Sequence, residues 1–386
     1  VQVRVVEFFA GCGGTSLGFN LANTDEVDYR VMGAVELDPY AAATYERALG
    51  APVHVGDVRE LLKPDVLKTV SEPWHGDGPL VLIGCAPCQG FSSHRKKDKR
   101  EDTRNSLLAA FADIAVALAP EVIVMENVPE MLSRQHWPHF EEWKSRLEGA
   151  GYAVRIAIHN LAEFGVPQER FRALVIASKW RWFEMPQPLF SREEFRTVKD
   201  AIGGLPALEA GEVDAHDPMH MTSKHRPATI ELIKQIPLDG GSRRSLPAGV
   251  GLACWDGVDG FRDVYGRLWW DRPAVAITAR CRTPSCGRFV HPEQHRGLTV
   301  REAGLLQGFP ADMYFEGPFD DKFKQIGNAV SPIFAKAVAE HLAKEWFADH
   351  ADALRLLPEA PLGLPLQKSF SSGIAALKRT RKVSAA

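Results

Sequence analysis

Three features of the sequence predict an α/β fold built on a doubly wound sheet. The first is a set of short apolar-rich runs at residues 3–10, 80–83 and 122–125. Runs of that length, bounded by turn residues, read as buried strands. The second is the turn Gly11-Cys12-Gly13-Gly14 directly behind the first run, followed by a helix-like stretch from Thr15 to Leu21. Strand, glycine turn and helix together bring backbone N–H groups close to a ligand. The third is a carboxylate closing each of the next two strands, Glu36 after residues 30–35 and Asp57 after Val53–Val55 and Gly56. An acid at the end of the second strand is placed to accept from ribose hydroxyls, and one at the third can accept from an adenine amino group. In order, the three imply an adenosine-containing cofactor, either NAD or S-adenosylmethionine.

Composition bounds the rest. The 386 residues leave room for two or three domains, or for one large α/β domain with an insertion. An apolar fraction of 45% and a charged fraction of 25% are those of a soluble globular chain. The formal net charge of −3 excludes a basic coat for nucleic acid, so any such contact needs a local patch. The cysteines, Cys12, Cys85, Cys88, Cys254, Cys281 and Cys286, are sparse and irregular, which argues against a disulfide framework. Cys85 and Cys88 form a C-x-x-C, but no second pair completes the roughly four ligands of a zinc site, so no metal is expected. The sequence shows no signal-peptide pattern and no apolar run of membrane-spanning length, so a cytoplasmic protein without membrane contact is expected.

The chemistry centres on Gly84-Cys85-Ala86-Pro87-Cys88-Gln89-Gly90-Phe91-Ser92, at the exit of the strand 80–83. Ligands bind at the carboxyl ends of such strands. Cys88 is followed by polar and basic residues, unlike a cysteine packed in a core. Pro87-Cys88-Gln89 resembles the nucleophile motif of the cytosine-C5 DNA methyltransferases. Five further motifs follow the same order. Phe9-Ala10-Gly11-Cys12-Gly13-Gly14 resembles the family's S-adenosylmethionine loop, and Glu126-Asn127-Val128 its Glu-Asn-Val. Gln168-Glu169-Arg170-Phe171-Arg172 resembles its Gln-x-Arg-x-Arg. Arg301-Glu302 with Gln307-Gly308-Phe309-Pro310, and Gln325-Ile326-Gly327-Asn328-Ala329-Val330, complete the series. The resemblance covers residues 3 to about 178 and 273 to about 347.

That resemblance implies S-adenosylmethionine as the cofactor. It is held by Phe9, Ala10, Gly11, Cys12, Gly13, Gly14, Glu36, Leu37, Asp57, Val58, Pro87 and Asn328. It implies a sequence-specific DNA cytosine-C5 methyltransferase acting on double-stranded DNA. C5 of cytosine is too weak a nucleophile to accept a methyl group directly. A thiolate adding to C6 converts the ring into an enamine that can. Cys88 supplies that thiolate, Glu126 bonds N3 and the exocyclic amine, and Arg172, with Arg170 beside it, binds O2. The base must leave the duplex to reach such a pocket. The charge run His94-Arg95-Lys96-Lys97 is then expected to form a mobile loop gripping phosphates, with His94 filling the space left by the flipped base.

The implied architecture is a Rossmann-like methyltransferase domain (1–178) with a small, irregular target-recognition domain (179–272) inserted. A return segment (273–347) completes the catalytic domain, and a tail (348–386) carries Lys378-Arg379-Thr380-Arg381-Lys382. In the insertion, Arg226 before Pro227, and Arg243 and Arg244 behind Gly240-Gly241, are the candidates for reading bases. Thr278, in a Thr-aliphatic pair with Ala279, is the candidate for a DNA-facing role. Thr299 is expected to cap a helix to Gln307, and residues 333–346 to form an amphipathic helix against the first strand region. A monomer in the bacterial nucleoid, with a cognate restriction endonuclease acting on the same site, fits this reading. The rivals are a tRNA cytosine-C5 methyltransferase and a catalytically silent DNA-binding protein on the same scaffold.

Overall fold

A computed structural model describes residues 1–86, 105–134, 136–179, 183–247, 249–252, 255 and 263–347. Pro87, Cys88, His94, Arg95, Lys96 and Lys97, and the 348–386 tail, lie outside the described residues. The elements in chain order are β1 (Gln2–Phe8), α1 (Gly14–Asn20), β2 (Asp28–Glu36), α2 (Pro39–Leu49), β3 (Val53–Val55) and α3 (Pro64–Ser71). Next come β4 (Leu80–Gly84), α4 (Asn105–Leu118), β5 (Val122–Asn127), α5 (Trp137–Gly149), β6 (Ala153–Asn160), β7 (Gln168–Glu169) and β8 (Phe171–Ser178). Last are α6 (Val198–Ile202), α7 (Pro227–Gln235), β9 (Ala274–Val275), α8 (Val300–Gln307), α9 (Phe319–Asn328) and α10 (Pro332–Leu342).

The chain forms two compact units. The first comprises Val1–Asn160, Phe171–Gln187 and the chain from Ala335; the second comprises Leu161–Arg170 and Pro188–Phe334. This division differs from the expected boundaries. Residues 161–170 and 273–334 fall in the same unit as the insertion: short strands tie the two segments to each other, and buried arginines tie the second to the insertion. β9 pairs in parallel with β7. Arg267 donates to the carbonyls of His291 and Gln294, and Arg288 to that of Arg267.

In the first unit a seven-stranded sheet has the order β3-β2-β1-β4-β5-β8-β6. β3, β2, β1, β4 and β5 run parallel, and β8 runs antiparallel to both β5 and β6. The parallel strands are buried on both faces. Val6, Phe8, Leu80, Leu82, Ile123 and Met125 join one core with Leu108, Phe111 and Ala115 of α4 and Phe140, Trp143 and Leu147 of α5. The alternate residues Val3, Val5, Val81, Ile83 and Val122 are equally buried. On the expected doubly wound sheet the order turns between β1 and β4, and ligands bind outside the strand ends at such a point. The C-terminal helix packs on β2: Tyr29 donates its hydroxyl to Ala339 O at 2.6 Å and meets Phe347 edge-on.

The second unit has little regular structure and is held by buried polar side chains. Thr299 caps α8 in a box with Glu302, as the sequence predicts. Arg296 and Glu302, almost fully buried, form a two-pronged pair with both distances 2.8 Å. Burial opposes the ionisation of Glu302, but the hydrogen bonds and charge of Arg296 outweigh it and pull its carboxyl down to about 2. Arg267 spreads its guanidinium over the carbonyls of Ile233, Ile236, His291 and Gln294 and over His295 Nδ1. Without Arg296, Glu302 is left as a buried, uncompensated charge. Arg296→Met should therefore lower stability against urea by about 3–5 kcal/mol at neutral pH. A depressed carboxyl contributes stability above its unfolded value and loses it as pH falls, so the deficit should narrow as pH drops from about 4.5 towards about 2.

Candidate active site

The cofactor loop leaves β1 at Phe8. Phe9, Gly11 and Gly13 all take positive φ, at 54°, 54° and 84°. A left-handed phenylalanine is costly and persists only where the surroundings fix it. Two carboxylates do so here. Glu36, at the end of β2, accepts the Gly11 N–H at 2.7 Å through one oxygen and the Asp38 N–H at 2.8 Å through the other. Glu7, inside β1, accepts the N–H and hydroxyl of Ser16 on α1, and Tyr45 donates its hydroxyl to Ser16 Oγ at 2.7 Å. Glu7 is missed by sequence reasoning, because an acid within an apolar strand carries no motif signal of its own. Burial lifts its carboxyl to about 7, against the lowering effect of the Ser16 bonds.

The other candidate cofactor residues occupy graded positions. Ala10, Cys12, Gly13 and Gly14 are buried, so the loop offers main chain there; burial also pushes the Cys12 thiol up and keeps it neutral. A side chain at Gly11 would meet nothing within 4 Å, so the space over the loop is open. Leu37 is 66% exposed beside Glu36, and Val55 51% exposed beside Asp57. Asp57 caps the following turn through the Arg59 N–H and pairs with the Arg59 guanidinium. Val58 is buried in the core. The open space over Gly11, two strand-end carboxylates and adjacent exposed apolar side chains fit the loop, ribose and adenine requirements of a nucleoside cofactor.

β4 carries the chain towards Cys88. Phe8 pairs with Gly84, and the Cys85 N–H donates to Phe8 O at 3.3 Å, so the cofactor loop and the segment towards Cys88 leave neighbouring strands. Burial, and then the charges of Glu126 and Glu7, hold the Cys85 thiol well above its ordinary value. It therefore stays a neutral thiol. Asn127, 2% exposed, donates to Ala86 O at 3.1 Å, tying the end of β5 to the last described residue before Pro87.

Glu126 stands on β5, and Arg172 on the first turn of the antiparallel β8. Their side chains meet at 2.7 Å and are 11% and 15% exposed. Arg172 also donates to Phe171 O. Arg170 belongs to the second unit and has a different task. It is buried and donates to the main-chain carbonyls of Ile277, Gly327 and Ala329. Its guanidinium is engaged by these three carbonyls, whereas that of Arg172 faces Glu126. Gln168 acts alike, accepting from Ile277 N and donating to Leu306 O.

In the second unit a side chain at Gly327 would lie 2.0 Å from both Thr278 C and Ala279 N. That packing sets the exposed Thr278 beside the exposed Asn328. Arg226 is exposed and extended (φ −65°, ψ 146°) before the helix-starting Pro227. Arg243 is half-buried with its guanidinium 5.3 Å from the Trp255 ring centroid, whereas Arg244 is exposed. Asp239, the carboxylate nearest Arg243 and Arg244 in sequence, accepts the Trp270 N–H.

The sequence profile described as C-5 cytosine-specific DNA methylase matches residues 3–344. The chain belongs to that family. As a DNA cytosine-C5 methyltransferase it takes its methyl group from S-adenosylmethionine. It is 32% identical over 351 residues to the type II methylase M.HgiDII of Herpetosiphon aurantiacus, covering 88% of this chain and 95% of that one. It is 33% identical over 350 residues to the type II methyltransferase M1.HphI of Haemophilus parahaemolyticus, covering 89% and 87%. A solved Escherichia coli prophage protein, described as a DNA modification methyltransferase, shares the fold with a TM-score of 0.66. Its identity is 24%, over 89% of this chain and 99% of that one.

Glu7 gives the methyltransferase a pH signature. A carboxyl raised in the folded state costs nothing below its ordinary value and destabilises as the unfolded chain ionises. Stability should therefore fall between about pH 4.5 and about pH 7. Glu7→Gln should remove that component, and urea midpoints measured across the window should be flatter than those of the parent; an unchanged slope would show that Glu7 ionises freely in the fold.

Proposed function

We propose that this chain is a modification methyltransferase that methylates a cytosine flipped out of a specific duplex sequence, through a covalent bond from Cys88. The observation that carries this reading is the Glu126–Arg172 pair, built beside the strand that leads to Cys88. Bound S-adenosylmethionine supplies an electrophilic methyl group. The protein supplies the rest. The Cys88 thiolate adds to C6, and electron density moves to C5. Glu126 accepts from the exocyclic amine, which selects cytosine over thymine, and from N3 once N3 takes up a proton as the adduct forms, and Arg172 donates to O2. The two side chains already neutralise each other before a base arrives, so little reorganisation is needed when charge shifts around the ring. With the methyl group on C5 and the sulfonium released as its neutral thioether, loss of the C5 proton expels the thiolate and frees the product.

Glu36 and Asp57 are assigned to the ribose and adenine, with Leu37, Val55 and the 9–14 loop lining the same site, and Pro87 following on the chain that leaves β4. Val58 contributes main chain, its side chain being part of the core. Arg95, Lys96 and Lys97 are assigned to phosphates, with His94 at the gap left by the base. Arg226, Arg244 and Thr278 are assigned to the DNA face, with Arg243 held against Trp255 as their support. Arg170 is assigned to the scaffold. The type II relatives support pairing with a restriction endonuclease; the protein is assigned, as part of this reading, to the cytoplasm and the nucleoid as a monomer. Among the described residues no helix is long and apolar enough to cross a membrane.

A duplex carrying 5-fluorocytosine at the target should become covalently attached to the protein in the presence of cofactor, because fluorine cannot leave as a proton does. Cys88→Ser should give no attached species and no detectable turnover, while its calorimetric affinity for S-adenosylmethionine stays at the parent value. Attachment that persists in Cys88→Ser would transfer the nucleophile to another residue.

A further inference from the structure

The Gly240–Arg244 turn is held from beneath by a device that no sequence motif singles out. Gly240 has φ +89°, and a side chain there would lie 1.8 Å from Trp269 Nε1, so the turn rests directly on the indole. Only glycine meets both conditions. The Arg288 guanidinium lies 3.9 Å from the Trp269 ring centroid. Its Nη1 donates to Gly240 O at 2.9 Å, Gly241 O at 3.2 Å and Arg267 O at 2.7 Å, and its Nε to Asp263 at 3.0 Å. Arg288 is itself buried. A cation over an indole face, with its N–H groups spent on carbonyls, is a rigid and directional contact. The next residues are the exposed Arg244, capped through Ser242 Oγ, and Arg243 against Trp255.

We infer that the Arg288–Trp269 clamp sets the pose of the Gly240–Arg244 turn and thereby sets base discrimination, acting as a positioning device without touching DNA. This rests on the reading of Arg244 as a base-contacting residue. Bidentate recognition of guanine needs the guanidinium plane fixed in position and orientation. An arginine on an untethered turn still meets phosphates but distinguishes bases poorly. Loosening the clamp should therefore degrade discrimination more than cognate turnover.

The test uses the full-length enzyme, with methylation rates on duplexes randomised one position at a time and with limited trypsin digestion. Trp269→Leu removes the ring and leaves the Arg288 hydrogen bonds. Arg288→Lys removes the planar fork and keeps the charge. Both should weaken preference at the position that Arg244→Ala weakens, by roughly tenfold, and both should speed cleavage after Arg243 and Arg244. Trp269→Phe, which keeps an aromatic face, should restore the parent profile and the parent digestion. A parent-like profile in Trp269→Leu and Arg288→Lys, beside an altered one in Arg244→Ala, overturns the clamp and leaves the base-reading role standing. A parent-like profile in Arg244→Ala removes the base-reading role itself, and the clamp inference with it. An equal loss over all sequences in the clamp variants overturns it also, by making the turn a phosphate contact.

Discussion

The antiparallel entry of β8 beside β5 is the constraint on which the catalytic arrangement depends. The parallel strands β1, β4 and β5 all end at one edge of the sheet, so their C-terminal residues gather there. A further parallel strand would begin at the opposite edge. β8 runs the other way, with Glu126 opposite Leu174 and Asn127 opposite Ala173, so its first residues lie at the edge where the others finish. Only that direction lets Arg172 meet Glu126 at 2.7 Å. A carboxylate alone at a half-closed strand end would bind a base but leave its charge uncompensated. Paired, it presents an acceptor and a donor in fixed relation, which is the arrangement the proposed cytosine contacts require.

Two glutamates near the cofactor loop show how burial divides labour between identical side chains. Glu36 stands at the open end of β2 and spends both oxygens on main-chain N–H groups, fixing the loop from its outer side. Glu7 lies within β1, buried, and resists ionisation while it holds the start of α1 through Ser16. Between them the loop keeps a left-handed phenylalanine and an open face over Gly11. The strain is local, and its compensation comes from strands packed on both faces.

The catalytic scaffold was legible because its strands are apolar on both faces and end in chemically distinctive residues. β3 lies where Gly56-Asp57 places it, and α8 starts at the capping Thr299. β6 was not legible, since most of its residues are only half-buried and Arg155 and His159 interrupt it, so no long apolar run marks it. Arg170 and Arg172, two residues apart, read as one functional pair, yet the chain passes from one unit to the other between Arg170 and Phe171. Arg170 meets carbonyls more than a hundred residues further on, contacts that no local pattern records. The same applies to Arg267, Arg288 and Arg296, whose carbonyl and carboxylate partners exist only once the irregular second unit has folded.

The most direct test of the Glu126–Arg172 unit is a double-mutant cycle on the single-turnover rate of methyl transfer to a duplex carrying the target. Glu126→Gln and Arg172→Lys should each slow that step by about 10²–10⁴-fold. Residues that act as one device are non-additive, so the double variant should be little slower than the slower single one. Losses that multiply, with cofactor affinity unchanged, would show two side chains acting independently and would contradict the paired role that the β5–β8 geometry gives them.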